Sequence, residues 1–300
     1  MSFMLLGILN SAAAGGGAGG SFVIVGEGSK LSTSEDGETW TTGTSGFPNT
    51  ITINSIVKSP DLYVWAGYNN ECWTSPDLLT WTSRTTNLTF QILLMAVAFG
   101  NGLYLVGASE GKLATSPDGA TWTSRTSGVS TNTIRAIAFG NGVYLVGAEN
   151  GALSSSTNGT SFTARTSTFG AYDINGVTYG DSLYVIVGKE GNLATSTNGT
   201  SWTNRAPQFG NSHLQDVAFG DNLYVAVGEE AKISTSTNGT TWTARTSTFG
   251  LSHIYGVVYG NGLWVAVGAS AKLSTSPNGI TWTARTSTFG TSEIYGIAFG

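Results

Sequence analysis

Apolar and polar residues alternate along this chain in short runs, and the runs return at a fixed distance. Around Ile254 the pattern reads IYGVVYG, LWVAVGA, AKLSTS and TWTART in succession. Alternation built from β-branched and aromatic residues predicts four short strands, and no stretch carries apolar residues at helical spacing. The breaks between runs are turns. Asn261-Gly262 joins the first two strands, with Asn101-Gly102, Asn141-Gly142 and Asp221-Asn222 in the same place in other copies; Asn278-Gly279 joins the third and fourth. Asn-Gly supplies the positive φ that a two-residue hairpin requires.

The unit repeats seven times. A phrase of the form T-S-P-D-G-x-T-W ends on Trp40, Trp81, Trp122, Phe162, Trp202, Trp242 and Trp282, at spacings of 41, 41, 40, 40, 40 and 40 residues. Four antiparallel strands at this period are the signature of propeller blades. The ends are complementary. Phe22-Val23-Ile24-Val25-Gly26 matches a second strand with no first, and Ile294–Gly300 matches a first strand with no second. The expected fold is therefore all-β: a seven-bladed β-propeller of four-stranded antiparallel blades over residues 21–300. Its ring closes by pairing the N-terminal strand with the C-terminal one, which removes the exposed edges. This closure predicts a chain complete at its C-terminus.

Residues before the ring divide in two. Residues 1–10 form an apolar peptide in which Phe3, Met4, Leu5, Leu6, Ile8 and Leu9 are the candidate partner-anchoring side chains. The run is far shorter than the roughly 20 residues that span a bilayer. Residues 11–20 (SAAAGGGAGG) read as a flexible tether. The first Lys or Arg in the chain is Lys30, so the basic start of a secretory signal is missing, although Ala12-Ala13-Ala14 has the small residues of a cleavage site.

Composition narrows the functions. Charged residues are 10% of the chain, against roughly 25% in an ordinary soluble protein. The net charge is −5 and no basic stretch exists to neutralise phosphates, which argues against nucleic acid as a partner. The single cysteine, Cys72, excludes an internal disulfide and is expected in a buried strand. No cofactor or metal is expected. His213 and His253 are the only histidines, and nothing resembles a nucleophile with its base, so the expectation is a non-enzyme.

Repetition helps to separate scaffold from site. Arg84, Arg125, Arg165, Arg205, Arg245 and Arg285 each follow the phrase's aromatic by three residues. Equivalent positions around a ring cannot converge on one ligand, so these are expected to cover apolar surface and bond a neighbouring turn. Sequons at Asn87, Asn158, Asn198 and Asn238 are read as turn chemistry. Variation is more informative. Before each first strand stand Thr52, Leu93, Thr133, Asp173, His213, His253 and Glu293; two residues on come Asn54, Met95, Arg135, Asn175, Gln215, Tyr255 and Tyr295. From these, Arg135, Asp173, His213, His253, Tyr255, Glu293 and Tyr295 form a candidate ligand surface at the rim of the central funnel, weighed evenly against drift at solvated positions. Phe169, Phe209, Phe249 and Phe289 sit on the adjoining loops, as rim aromatics or as packing between blades.

The T-S-P-D-G-x-T-W phrase resembles the Asp-box of sialidases and photosystem assembly propellers, with Asp placed directly before Gly and replaced by Asn158, Asn198, Asn238 and Asn278 in later copies. In those families the box is a folding element away from the active site. Sialidase chemistry needs three converging arginines, and only Arg135 breaks the repeat register. The string Met1–Asn10 with its Ala/Gly tether resembles the leader of tail-associated structural proteins of tailed bacteriophages. That resemblance implies a virion protein, anchored to another virion structural protein through residues 1–10 and displaying the propeller, with a host cell-surface glycan as a further partner. The alternative is a secreted or periplasmic lectin-like propeller whose residues 1–14 are a cleaved signal. An intracellular assembly factor has no basic patch to support it.

Overall fold

The structure, a computed structural model, describes residues 20–43, 51–68, 70–88, 91–206 and 208–300. The anchor residues Phe3, Met4, Leu5, Leu6, Ile8 and Leu9 and most of the tether lie outside the described residues. Seven four-stranded antiparallel sheets follow one another, six of them with their strands in chain order, here A to D from the axis outward. Their A strands are Ile53–Lys58, Leu94–Gly100, Ile134–Gly140, Ile174–Gly180, Leu214–Gly220, Ile254–Gly260 and Ile294–Phe299, which open blades one to seven. Successive A strands pack side by side around the ring.

Blade seven is composite. Strand Ile294–Phe299 pairs with Phe22–Gly26, so Phe22 stands opposite Phe299 and Val23 opposite Ala298. Ser21 N–H donates to Gly300 O at 2.9 Å, and Gly300 N–H donates back to Ser21 O at 3.2 Å. The ring therefore closes as its two incomplete ends require.

Burial falls from the axis outward. In blade four the B strand Leu183–Gly188 is almost wholly buried and reads as a near-continuous apolar run, because both sheet faces meet another blade. The D strand Thr203–Arg205 of the same blade is largely exposed and carries only polar and charged side chains. Cys72 is buried in the C strand Glu71–Ser75, where burial pushes its thiol up to about 12. Between strands B and C, in all blades but the first, the chain makes a single 3-10 turn with consecutive residues at positive φ, such as Glu190 at 54° and Gly191 at 65°, or Glu230 at 53° and Ala231 at 60°.

The box turns are self-contained. Asp118 Oδ1 accepts the N–H groups of Ala120 and Thr121, each at 2.8 Å, and the Ser116 hydroxyl donates to it at 2.9 Å. Trp122 Nε1–H then donates to Gly119 O at 3.0 Å. In the Asn copies the amide oxygen does the same work: Asn238 Oδ1 accepts Thr240 N–H and Thr241 N–H at 2.9 Å. The backbone bonds use only one oxygen, which is why Asp and Asn interchange here. Those backbone bonds hold the carboxyls of Asp36, Asp77 and Asp118 down at about 2.

The repeated arginines are also structural, with a different partner from the expected turn. Nε–H of Arg125 donates to Thr115 Oγ1 at 2.9 Å, from strand D to strand C of one blade, and Arg84, Arg165, Arg205, Arg245 and Arg285 repeat the bond. Among the described residues, only Arg285 also reaches a neighbouring turn, at Glu38. The charged head lands on a hydroxyl one strand away because strands C and D run in register at that level.

Candidate functional site

Every A strand begins with a β-bulge. In blade three Ile134 pairs with Ala148 and Ala136 with Gly147, leaving Arg135 as the extra residue. The same shift frees Asn54, Met95, Asn175, Gln215, Tyr255 and Tyr295. A bulge re-aims one side chain out of the ladder. The freed side chains reach for the next blade. Asn54 and Asn175 donate through Nδ2 to the backbone oxygens of Leu94 and Leu214, both at 2.8 Å. The Tyr255 and Tyr295 rings lie 5.5 Å apart, and His253 stands 6.3 Å from Tyr255.

Arg135 anchors the most charged part of this rim. Its guanidinium is 2.7 Å from Glu149 Oε1 and 3.4 Å from Asp173 Oδ2, while Lys189 Nζ approaches Asp173 Oδ2 to 2.6 Å. Burial alone would raise the Asp173 carboxyl, but its hydrogen bonds from Lys189 and from the Asn150 amide, with the charge of Arg135, hold it below its usual value. Asp173 is therefore a paired carboxylate, not a free acid.

The residue just before each A strand has a second task. Asp173 Oδ1 accepts the Asn150 N–H at 3.0 Å, His213 Nδ1 accepts the Glu190 N–H at 3.0 Å, and His253 Nδ1 accepts the Glu230 N–H at 3.4 Å. Glu293 Oε1 meets the Ser270 N–H at 3.4 Å. Each acceptor sits 23 residues after its donor and ties the B–C turn of one blade to the start of the next. Four of the seven candidate residues are thus latches between blades.

The candidates fall into two groups on one rim. Arg135 and Asp173 are in contact; His253, Tyr255, Glu293 and Tyr295 cluster at blades six and seven; His213 lies between them in blade order. Burial, then the Glu293 charge, raises the Tyr255 phenol, and burial, with Glu27 and Glu293, pushes Tyr295 to about 12. Both phenols stay protonated near neutrality. The loop residues Phe169, Phe209, Phe249 and Phe289 are not rim aromatics. All four are buried, packed between blades. Lys232 and Lys272 bind the backbone oxygens of Phe209 and Phe249. Among the described residues, no group of three His, Cys, Asp or Glu is placed to hold a metal ion, and no helix is long and apolar enough to cross a membrane.

Asp216 escaped the sequence reading. It is fully buried beside the bulge in blade five, where other blades have Ser55, Ala96, Ala136, Gly176, Gly256 and Gly296. Its carboxyl accepts Val217 N–H at 2.8 Å and Val257 N–H at 3.0 Å, bridging blades five and six. Burial raises it from 3.8 to about 7. Its signal in the sequence is that it alone is acidic among seven equivalent positions.

The faces can now be assigned. Phe22 pairs with Phe299, at the end of an A strand, so Gly20 and Ser21 meet the ring on the side of the A–B and box turns. The bulge rim lies on the opposite side, with the B–C turns.

A family model described as the DUF6242 beta propeller domain matches residues 19–132 and 117–216. No curated protein sequence matches the chain. Among solved structures, YCF48 bound to D1 peptide is 16% identical with a TM-score of 0.67, over 86% of this chain and 87% of that one. The WD40 β-propeller domain of Doa1 is 15% identical, with a TM-score of 0.64 and coverage of 81% and 85%. A streptogramin B lyase is 11% identical, with a TM-score of 0.70 and 83% of each chain covered. At these identities the likeness is one of fold, shared by binding propellers and by an enzyme.

Proposed function

The chain belongs to the DUF6242 β-propeller domain family, and from that premise we propose that it is a non-enzymatic binding head, tethered on its box side and presenting its bulge rim to a ligand. One observation carries the reading: the tether joins the ring beside Phe299 and Gly300, on the face opposite Arg135, Asp173, His213 and the Tyr255–Tyr295 pair. A head held from one side has its other side free. The rim suits a polar ligand with flat apolar patches, such as a cell-surface glycan, since it joins imidazoles, carboxylates and two protonated phenols. YCF48 bound to D1 peptide lends the fold as a precedent for binding. The likeness of Met1–Asn10 to phage tail leaders supports a virion setting, with residues 1–10 held by another virion structural protein.

Intact mass and N-terminal peptide mapping of the native protein test this. Retention of Met1 or Ser2, with a folded propeller released from its source particle when residues 1–10 are removed, is the expected result. A mature chain starting near residue 15 and free in solution would instead identify a secreted lectin-like propeller.

A further inference from the structure

The last aromatic of each A strand forms a second ring, on the tether side. Its members are Phe99, Phe139, Tyr179, Phe219, Tyr259 and Phe299, and blade one has Lys58 in that place. All but Phe99 seat on the glycine that closes the preceding A strand: a Cβ on Gly140 would stand 2.2 Å from the Tyr179 ring, and one on Gly300 would stand 2.2 Å from Lys58 Cγ. The rings are partly exposed, and four of them, Phe99, Phe139, Tyr179 and Phe299, line a cavity of about 590 Å³ that touches blades one to four and seven. That volume lies within the range of small-molecule sites.

Among the described residues, Lys58 is the only charged one lining this cavity. Its ammonium donates to Pro60 O at 3.1 Å and sits 4.7 Å from the Tyr63 ring centroid. An ammonium has three N–H donors, so donors remain for a ligand. The Asp61 carboxylate acts on it from outside the lining, and a cation beside aromatic faces favours an anion whose body is apolar.

We infer that this mouth binds a small amphipathic anion, a flat aromatic or alkyl body bearing one carboxylate that pairs with Lys58. Repetition supports the choice. Four of the six aromatic copies line the cavity, and the seventh position breaks the series with a cation. Partial burial lowers the Lys58 pKa by desolvation, against the opposing charge of Asp61. The site is on the face opposite the bulge rim and does not rest on the binding reading given above.

Naphthalene-2-carboxylate and its neutral amide, titrated by fluorescence into the full chain, test the assignment. One saturable site per chain is expected, with the acid preferred by about tenfold, the worth of a charge-assisted hydrogen bond. Lys58→Phe copies the residue of the other blades and is expected to fold and to lose the preference; Lys58→Gln provides the same test should the bulkier ring disturb the mouth. No saturable binding, or equal affinity for acid and amide in the unaltered protein, would overturn the assignment. So would binding that appears only after residues 1–19 are removed, because the chain's own N-terminal segment would then be the occupant.

Discussion

The carboxylate of Asp173 accepts the backbone N–H of Asn150 at 3.0 Å, across the boundary between two blades. The bond joins a turn residue held at a φ of 54° to the first residues of the next A strand, and the same carboxylate carries two cations. Replacing Asp173 with Ala removes all three contacts and should cost about 1–3 kcal/mol, the range for hydrogen bonds to a charged group. Asp173→Asn keeps the amide acceptor and loses the ion pairs. The folded carboxyl titrates below 3.8, so its stabilisation is present above that value and disappears as the pH falls through the lower folded value. Urea titrations between pH 2 and 7 should show a shallower acid limb for Asp173→Asn than for the unaltered protein; parallel limbs would mean that the pairing contributes nothing.

Asp216 has the opposite sign. Its folded pKa is raised from 3.8 to about 7, so the folded state favours the protonated form and loses stability as the pH climbs from about 4 to 7. Comparison with Asp216→Ala isolates the effect, since blades two and three have alanine there. The melting temperature of the unaltered protein minus that of the variant should decline over that interval and level off above it. A difference that grows with pH would show the carboxylate to be stabilised by its two amide donors instead.

Two glycines two residues apart should respond differently to alanine. Gly140 ends an A strand, and its Cβ would strike the Tyr179 ring, so Gly140→Ala is an overpacking change costing about 1–3 kcal/mol. Gly142 has open space around it but a φ of 76°, so Gly142→Ala carries only backbone strain of about 1 kcal/mol. Chemical denaturation of both variants should rank Gly140→Ala as the less stable. The reverse order would mean that the aromatic ring shifts freely and the turn does not.

At the rim, Tyr255→Ala and Tyr295→Ala should each weaken glycan binding, whereas Arg245→Ala, whose guanidinium serves strand C of its own blade, should leave it unchanged. A glycan array scored against the unaltered protein separates them. Equal losses from all three would point to a stability effect.

Architecture was legible because it rests on local chemistry repeated many times: alternation, Asn-Gly turns and the box. The rim positions were found from where the copies differ, but their roles were not. His213 and Glu293 looked like free ligand groups because nothing in their neighbours reveals that each reaches back 23 residues to a turn amide of the previous blade. Phe169 and its equivalents looked equally suited to rim or core, since a loop aromatic followed by glycine fits both; burial decided it. The bulge that frees Arg135 is a register shift of one residue, set by the pairing of two strands and invisible in either alone. Asp216 was passed over because a single carboxylate in a strand reads as surface until its burial is known.

The composite seventh blade also sets a timetable. Strand Phe22–Gly26 is among the first parts of the ring to be synthesised, yet the strand it needs on its inner side, Ile294–Phe299, is among the last. Blades one to six can each pair their own four strands as they emerge, while the opening strand waits with one edge bare. The ring behaves like a clasp bracelet whose final link is also its fastener. Its cooperativity is acquired in one late step, and a ribosome that stalls shortly before residue 294 leaves every blade but one assembled and the circle open.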